Sequence, residues 1–192
     1  MKIKKKIKVA IDSPAAAGAG TQAKLISKHY NLFYLDTGKI YRLIGFFKIN
    51  NQKKFNYNYI KKRMKNLKIN SLKKNKLLSD EVGAAASIIA KDKKIRKIVY
   101  NFQKKCAYNY PKKYNGSCLD GRDIAYKIVP DADFKFFITA SIKTRARRRY
   151  LELKRLKNNI TFKEVLKSKK LRDKNDYNRK ISPLTSKYSM LI

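Results

Sequence analysis

The 192-residue chain has no tryptophan, one histidine and two cysteines. Cys106 and Cys118 form no CxxC or metal-ligand spacing, which excludes a disulfide framework and a thiolate-held zinc site and fits a reducing compartment. His29 stands alone near the end of a helix and is not read as a ligand or base. Long apolar runs are missing too: nothing approaches the roughly 20 residues of a membrane span. The start, MKIKKKIKVA, has a basic head without an apolar centre or cleavage site, so it reads as a first strand rather than a signal peptide. The expected location is the cytoplasm. Acidic residues are scarce, 13 against 49 lysines and arginines, for a net charge of +36. Such an excess commonly marks a nucleic-acid surface. Here Lys, Asn, Ile and Tyr are inflated together, the mark of an AT-rich genome, and the charge is not read as an RNA- or DNA-binding device. The eleven arginines are different from the thirty-eight lysines. Most of them fall in a few short motifs.

A length of 192 residues and an apolar fraction of 43% suit one α/β domain with a real core. The expected architecture is a P-loop-type parallel sheet with helices on both faces and sites at the strand C-termini. Strands are expected at 6–11, 32–35, 117–119, 134–139 and 189–192. Helices are expected at 21–29 and 39–49, after Ser79 and Asp92 as caps, after Ser141, and from the capping box Thr161-x-x-Glu164 to about Asn178. The basic stretch 50–78 lacks Gly and Pro and reads as a solvated surface helix with Phe55, Tyr59, Ile60 and Met64 on one face.

The most informative absence is one lysine. Val9–Thr21, VAIDSPAAAGAGT, is a strand, a loop of small residues and a helix start, the arrangement by which backbone N–H groups and a helix N-terminus surround polyphosphate. The pattern G-x-x-x-x-G-K-[ST] demands lysine after the last glycine of the loop. Ala19 stands there.

Further motifs follow in order. They are Leu35-Asp36-Thr37-Gly38 with Tyr41-Arg42, Ala85-Ala86-Ser87 with Arg96, Leu119-Asp120-Gly121-Arg122-Asp123-Ile124, the cluster Arg145, Arg147, Arg148 and Arg149, and Arg172-Asp173 with Asp176-x-Asn178-Arg179. Guanidinium groups present planar forks of donors to phosphate oxygens. A carboxylate among them can accept from the amine of an aminopyrimidine. In this register, over nearly the whole chain, the sequence resembles the bacterial cytidylate kinase family of P-loop nucleoside monophosphate kinases.

The resemblance implies an enzyme that phosphorylates CMP or dCMP with ATP and Mg²⁺, a single domain over 1–192 with a monophosphate-binding insertion at about 36–96 and a lid at about 141–179, and a monomer. It assigns the acceptor site to Thr37, Arg42, Ser87, Arg96, Arg122, Asp123, Asp176 and Arg179. The donor site falls to Ser13, Pro14, Ala15, Ala16, Ala17, Gly18, Ala19, Gly20 and Thr21, with Arg145 and Arg149. Arg122, Arg148, Arg172 and Arg179 are the catalytic arginines it implies, Thr21 approaches the magnesium, and Arg147 faces solvent.

Three departures shape the expectations. With Ala19 in the lysine position, another cation, from the lid arginines or Lys127, is expected in its place. Ser13 stands where a glycine opens the cradle, and is expected to restrict the loop more than Ala16 does. The chain stops at Ile192, short of a base loop and closing helix that the resemblance implies, so recognition of the ATP base is expected to differ. The rival readings are a nucleotide- or RNA-binding protein that keeps the fold with impaired catalysis, and another small-molecule P-loop kinase.

Overall fold

The computed structural model describes residues 6–155 and 159–192. Five parallel strands form one sheet in the order β2-β3-β1-β4-β5: β1 (Ile7–Asp12), β2 (Phe33–Asp36), β3 (Gly116–Gly121), β4 (Phe134–Phe137) and β5 (Met190–Leu191). β1 carries the apolar run Val9-Ala10-Ile11, and both β1 and β3 are covered on both faces by helices; Val9, Ala10, Ile11, Cys118 and Leu119 are all buried. The register aligns Asp12 with Gly121 and Asp36 with Asp120, so the C-terminal ends of β1, β2 and β3 form one edge rich in carboxylates.

Among the described residues seven α-helices surround the sheet: α1 (Ala19–His29), α2 (Thr37–Asn50), α3 (Tyr57–Lys65), α4 (Asp80–Ile89), α5 (Lys93–Tyr108), α6 (Ile142–Arg155) and α7 (Phe162–Asn178). Their starts follow local chemistry. Side chains of Asp36, Asn56, Ser79, Asp92 and Thr161 each accept from a backbone N–H in the first turn, satisfying donors that would otherwise lack partners. Thr161 and Glu164 form the reciprocal capping box that the sequence predicts. Asp36 as a cap folds Thr37 and Gly38 into α2, where the sequence suggested a turn ahead of a helix from 39.

The main core lies between the sheet and α2–α5, around Ile40, Ile44, Val99, Leu119 and Ile124. A second cluster, including Ile11, Ala23, Leu32 and Cys118, fills the opposite face under α1. Ala146, Leu153 and Val165 make a third cluster between α6 and α7. The 50–78 stretch departs from its sequence reading. Rather than a solvated helix it holds α3 and three short 3-10 turns, and it buries Ile60, Met64, Leu72 and Leu77 in the main core. Its lysines are exposed while Ile60, Met64, Leu72 and Leu77 pack inward, and that minority decides the placement. Both cysteines are buried and free. Among the described residues no helix is long and apolar enough to cross a membrane.

Candidate active site

The cradle joins β1 to α1 at the sheet's C-terminal edge. Gly18, with φ of 103°, caps α1, and its carbonyl accepts from Thr21 and Gln22. Residues Ser13 to Thr21 curve around a cavity of about 420 Å³ that Asp36, Arg42, Asp120, Arg122, Arg148, Arg149, Lys169 and Arg172 also line. The restricted residue is Ala16, at φ 66°, a left-handed conformation that costs an L-residue roughly 1–2 kcal/mol. Ser13 avoids that region and donates its N–H to the Gly121 carbonyl at 3.2 Å. The backbone strain thus falls three residues beyond the position the sequence singled out.

Two buried carboxylates that sequence reasoning passed over organise this edge. Asp12 accepts from Ile124 N at 2.8 Å and Ala125 N at 2.9 Å, fixing the turn that carries Arg122 and Asp123. Burial pushes its pKa up to about 7 against those two hydrogen bonds. Asp120 accepts from Tyr34 Oη at 3.0 Å, and a Cβ on Gly20 would come within 3.2 Å of the same oxygen. The carboxylate therefore abuts the start of α1. Burial, with Asp36 nearby, raises its pKa to about 8. Both were discoverable as acids closing apolar strands beside a small-residue loop.

A second pocket lies against the first. Thr37, Ser87, Arg96, Arg122, Asp123, Arg172, Asp176 and Arg179 line it with Tyr41 and Gly121. Its four guanidinium groups come from α5, the turn after β3, and both the body and the end of α7. Arg122 Nε donates to Asp176 at 3.0 Å; Arg179 and Arg172 stand 3.9 and 4.0 Å from the same carboxylate. Burial alone would raise the Asp176 pKa, but Arg122 and Arg172 overcome it and hold the carboxyl below its ordinary value. Arg96 pairs with buried Asp123. Thr37 donates to the Asp120 carbonyl at 2.7 Å, which ties α2 to β3. Two guanidinium donors, Arg172 Nε and Arg179 Nη2, are buried with no hydrogen-bond partner. Buried donors of that kind are costly unless an acceptor arrives.

The remaining arginines divide. Arg42 lies on the cradle side, its Nη1 donating to the Leu77 and Ser79 carbonyls at 2.8 and 3.0 Å. Arg148 Nη1 donates to the Ala17 carbonyl at 2.9 Å and lies over Gly18. Arg149 lines the cavity but is engaged by Asp80 at 2.7 Å and Glu152 at 2.9 Å. Arg145 does not line the cavity. Its Nη1 and Nη2 donate to the two carboxylate oxygens of Asp173 at 3.0 and 2.5 Å, and Nη1 also to Ala15 O at 3.3 Å, so it pins α6 to α7 and both to the cradle. Arg147 is exposed. Lys127 lines a different cavity beside Asp123 and Ser182 and is exposed, which removes it as a stand-in for the cradle lysine.

A phosphate cradle facing an arginine- and aspartate-walled acceptor pocket, on a parallel sheet of this strand order, defines a phosphotransferase of the P-loop nucleoside monophosphate kinase class. Residues 9–192 match the profile of the cytidylate kinase family. Curated relatives of that name include one from Bartonella tribocorum, 41% identical, with 92% of this chain and 80% of the relative covered. Another, from Thermosipho melanesiensis, is 37% identical with 92% and 83% covered, and one from Clostridium botulinum is 37% identical with 97% and 89% covered. The chain belongs to the cytidylate kinase family.

Proposed function

We propose that the two cavities act together in ATP-dependent phosphorylation of CMP and dCMP, yielding CDP or dCDP and ADP, with the donor triphosphate on the cradle and the acceptor in the arginine pocket. The observation that carries this reading is the pair of buried, unpartnered donors on Arg172 and Arg179 beside Asp176. A phosphate brings acceptor oxygens and negative charge to them. Phosphoryl transfer needs positioning and charge neutralisation more than a base, because the acceptor oxygen is already anionic. In this reading Arg122, Arg172 and Arg179 hold the acceptor phosphate toward the cradle while the amides of Ser13–Thr21 and Arg148 hold the donor. Arg42 and the N-terminus of α2 at Thr37 flank the gap between them. Asp176, kept ionised by its arginines, accepts from the cytosine amine, with Ser87 and the Arg96–Asp123 pair completing recognition of base and sugar. Arg145 keeps the α6–α7 hairpin rigid, so that the hairpin closes as a unit.

The acceptor cavity is only about 60 Å³, far below the roughly 300 Å³ at which small-molecule sites begin. Entry of CMP therefore requires α4 and the start of α5 (in the 36–96 segment) and α6–α7 (in the 141–179 segment) to separate and close again. Mg²⁺ fits the donor side. The Thr21 hydroxyl and the carboxylates of Asp120 and Asp36 share one cavity and offer the oxygen donors a hard cation takes. Among the described residues no three metal-ligating side chains cluster into a cage, so the ion would come with ATP and would neutralise triphosphate charge there. Asp120 and Thr21 would hold it. The reading includes a monomer in a reducing cytoplasm, supported by two buried free thiols, and assigns the basic surface no nucleic-acid partner.

A coupled ADP-release assay with CMP, dCMP, UMP and AMP tests this, run beside RNA binding over a salt series. Cytidine-selective turnover is expected. Absence of turnover together with a steep salt slope for RNA would replace it with the binding-protein reading.

A further inference from the structure

The vacancy at Ala19 asks which group supplies the positive charge that a cradle lysine carries to the transferring phosphate. Arg148 is the nearest cation in contact with the loop, but its Nη1 is held by the Ala17 carbonyl and the residue is exposed to solvent. Lys169 differs on every count. It projects from the middle of α7 into the cradle cavity and is only 6% exposed. Among the described residues its ammonium has no hydrogen bond and no ion pair, and its charged surroundings are mostly cations, Arg42, Arg149 and Arg172, with Asp80 the one acid among them. Asp80 is already engaged by Arg149. A fully formed lysine charge in such a place is unfavourable unless a ligand brings negative charge to it.

We propose that Lys169, reaching across from the lid helix, contacts the donor's transferring phosphate and does the work of the lysine missing at position 19. The proposal rests on the kinase reading above and refines its donor site. Its geometry has a functional consequence. The charge arrives with α7, so the cradle gains its full positive potential only when the α6–α7 hairpin is closed over it. The closed state alone would be competent for transfer, which keeps a loaded but open site from giving the phosphate to water.

The test is a cycle of Lys169→Met, Ala19→Lys and the double variant, with Arg147→Met, an exposed cation of the same hairpin, as a comparison, assayed at saturating ATP and CMP. Lys169→Met is expected to lower kcat by about 10²–10³, the usual loss for one charge-stabilising donor, while KM for CMP stays within about threefold. Ala19→Lys in the Lys169→Met background is expected to recover at least about tenfold of that loss; in the parent it leaves turnover unchanged or lower. Inorganic tripolyphosphate is expected to raise the Tm of the parent more than that of Lys169→Met, a readout independent of catalysis. The proposal is overturned if Lys169→Met keeps kcat within about threefold of the parent, if Arg147→Met produces the same large loss, or if Ala19→Lys in the parent raises turnover a hundredfold. A parent chain that never phosphorylates CMP would instead sink the kinase reading itself.

Discussion

Replacing Lys169 with methionine should stabilise the ligand-free protein, and the size of the gain can be worked from the site. Burial, helped by Arg172 and Arg149, pulls the lysine pKa from its ordinary 10.5 down to about 8. The folded state therefore binds the proton less well than the unfolded chain. Below pH 8 both states are protonated and the folded state carries the full penalty, roughly 3 kcal/mol. Between pH 8 and 10.5 the unfolded chain binds more protons than the folded one, so stability rises with pH as the penalty disappears. Methionine matches the length of the apolar stem and carries no charge, so Lys169→Met should gain up to about 3 kcal/mol at pH 7 and less than about 1 kcal/mol at pH 10. Urea unfolding of parent and variant at both pH values measures this, since the other titrating groups cancel in the difference. A variant that loses more than about 1 kcal/mol at pH 7, or gains equally at pH 7 and 10, would refute the reasoning. The same substitution would then raise stability and lower turnover, the trade-off expected of a strained site.

Other outcomes follow from the acceptor pocket and the cradle. Asp176→Ala and Arg179→Ala should each raise KM for CMP and cut kcat/KM by at least about tenfold while ATP affinity changes little; steady-state kinetics with each substrate varied would detect an undiminished CMP preference, which is incompatible with the acceptor assignment. Arg96→Ala should destabilise the fold by roughly 3–5 kcal/mol, because it strands the buried Asp123 carboxylate; a loss below about 1 kcal/mol in denaturant titration would mean the pair is not desolvated. Ala16→Gly should stabilise by up to about 1 kcal/mol through relief of the positive φ, offset in part by the freer unfolded chain. Calorimetry giving a clear loss would place the strain elsewhere.

Much of the site was legible because its chemistry is carried by residue types that are rare in this chain. Arginine is placed and lysine is background, so Arg42, Arg96, Arg122 and Arg179 stood out before any fold was known. Helix caps read well for the same local reason: Ser79, Asp92 and Thr161 each act within three residues of themselves. What the sequence hid depends on distant partners. Lys169 is one lysine among thirty-eight, and only the packing of α7 against the cradle separates it from those that are solvated. Asp12 and Asp120 matter because β1 and β3 are neighbours, a pairing of segments more than 100 residues apart. Arg145 belongs to the same cluster as Arg148 and Arg149, yet its rotation on α6 turns it toward Asp173 and away from the cavity. The 50–78 stretch misled for the opposite reason. Its lysine content conceals four core side chains.

Arg42, Arg122, Arg148, Arg149, Lys169 and Arg172 all line the donor cavity, and the acids that line it with them are Asp36, Asp120 and Glu152. Arg149 engages Glu152, which leaves Asp36 and Asp120 facing the remaining cations. The cations are thus under-compensated, and the hairpin that brings four of them must be kept shut by other contacts. Arg145–Asp173 holds α6 to α7, and Arg149–Asp80 joins the hairpin to α4. The second of these is half open to water at Asp80, so it contributes little by itself. In the proposed reading closure is weak without ligand and strong with a triphosphate, because phosphate oxygens would satisfy donors left unpaired among the described residues. The missing lysine at position 19 makes the coupling tighter: the positive charge needed for transfer is divided between a fixed loop and a moving helix, and the nucleotide joins them.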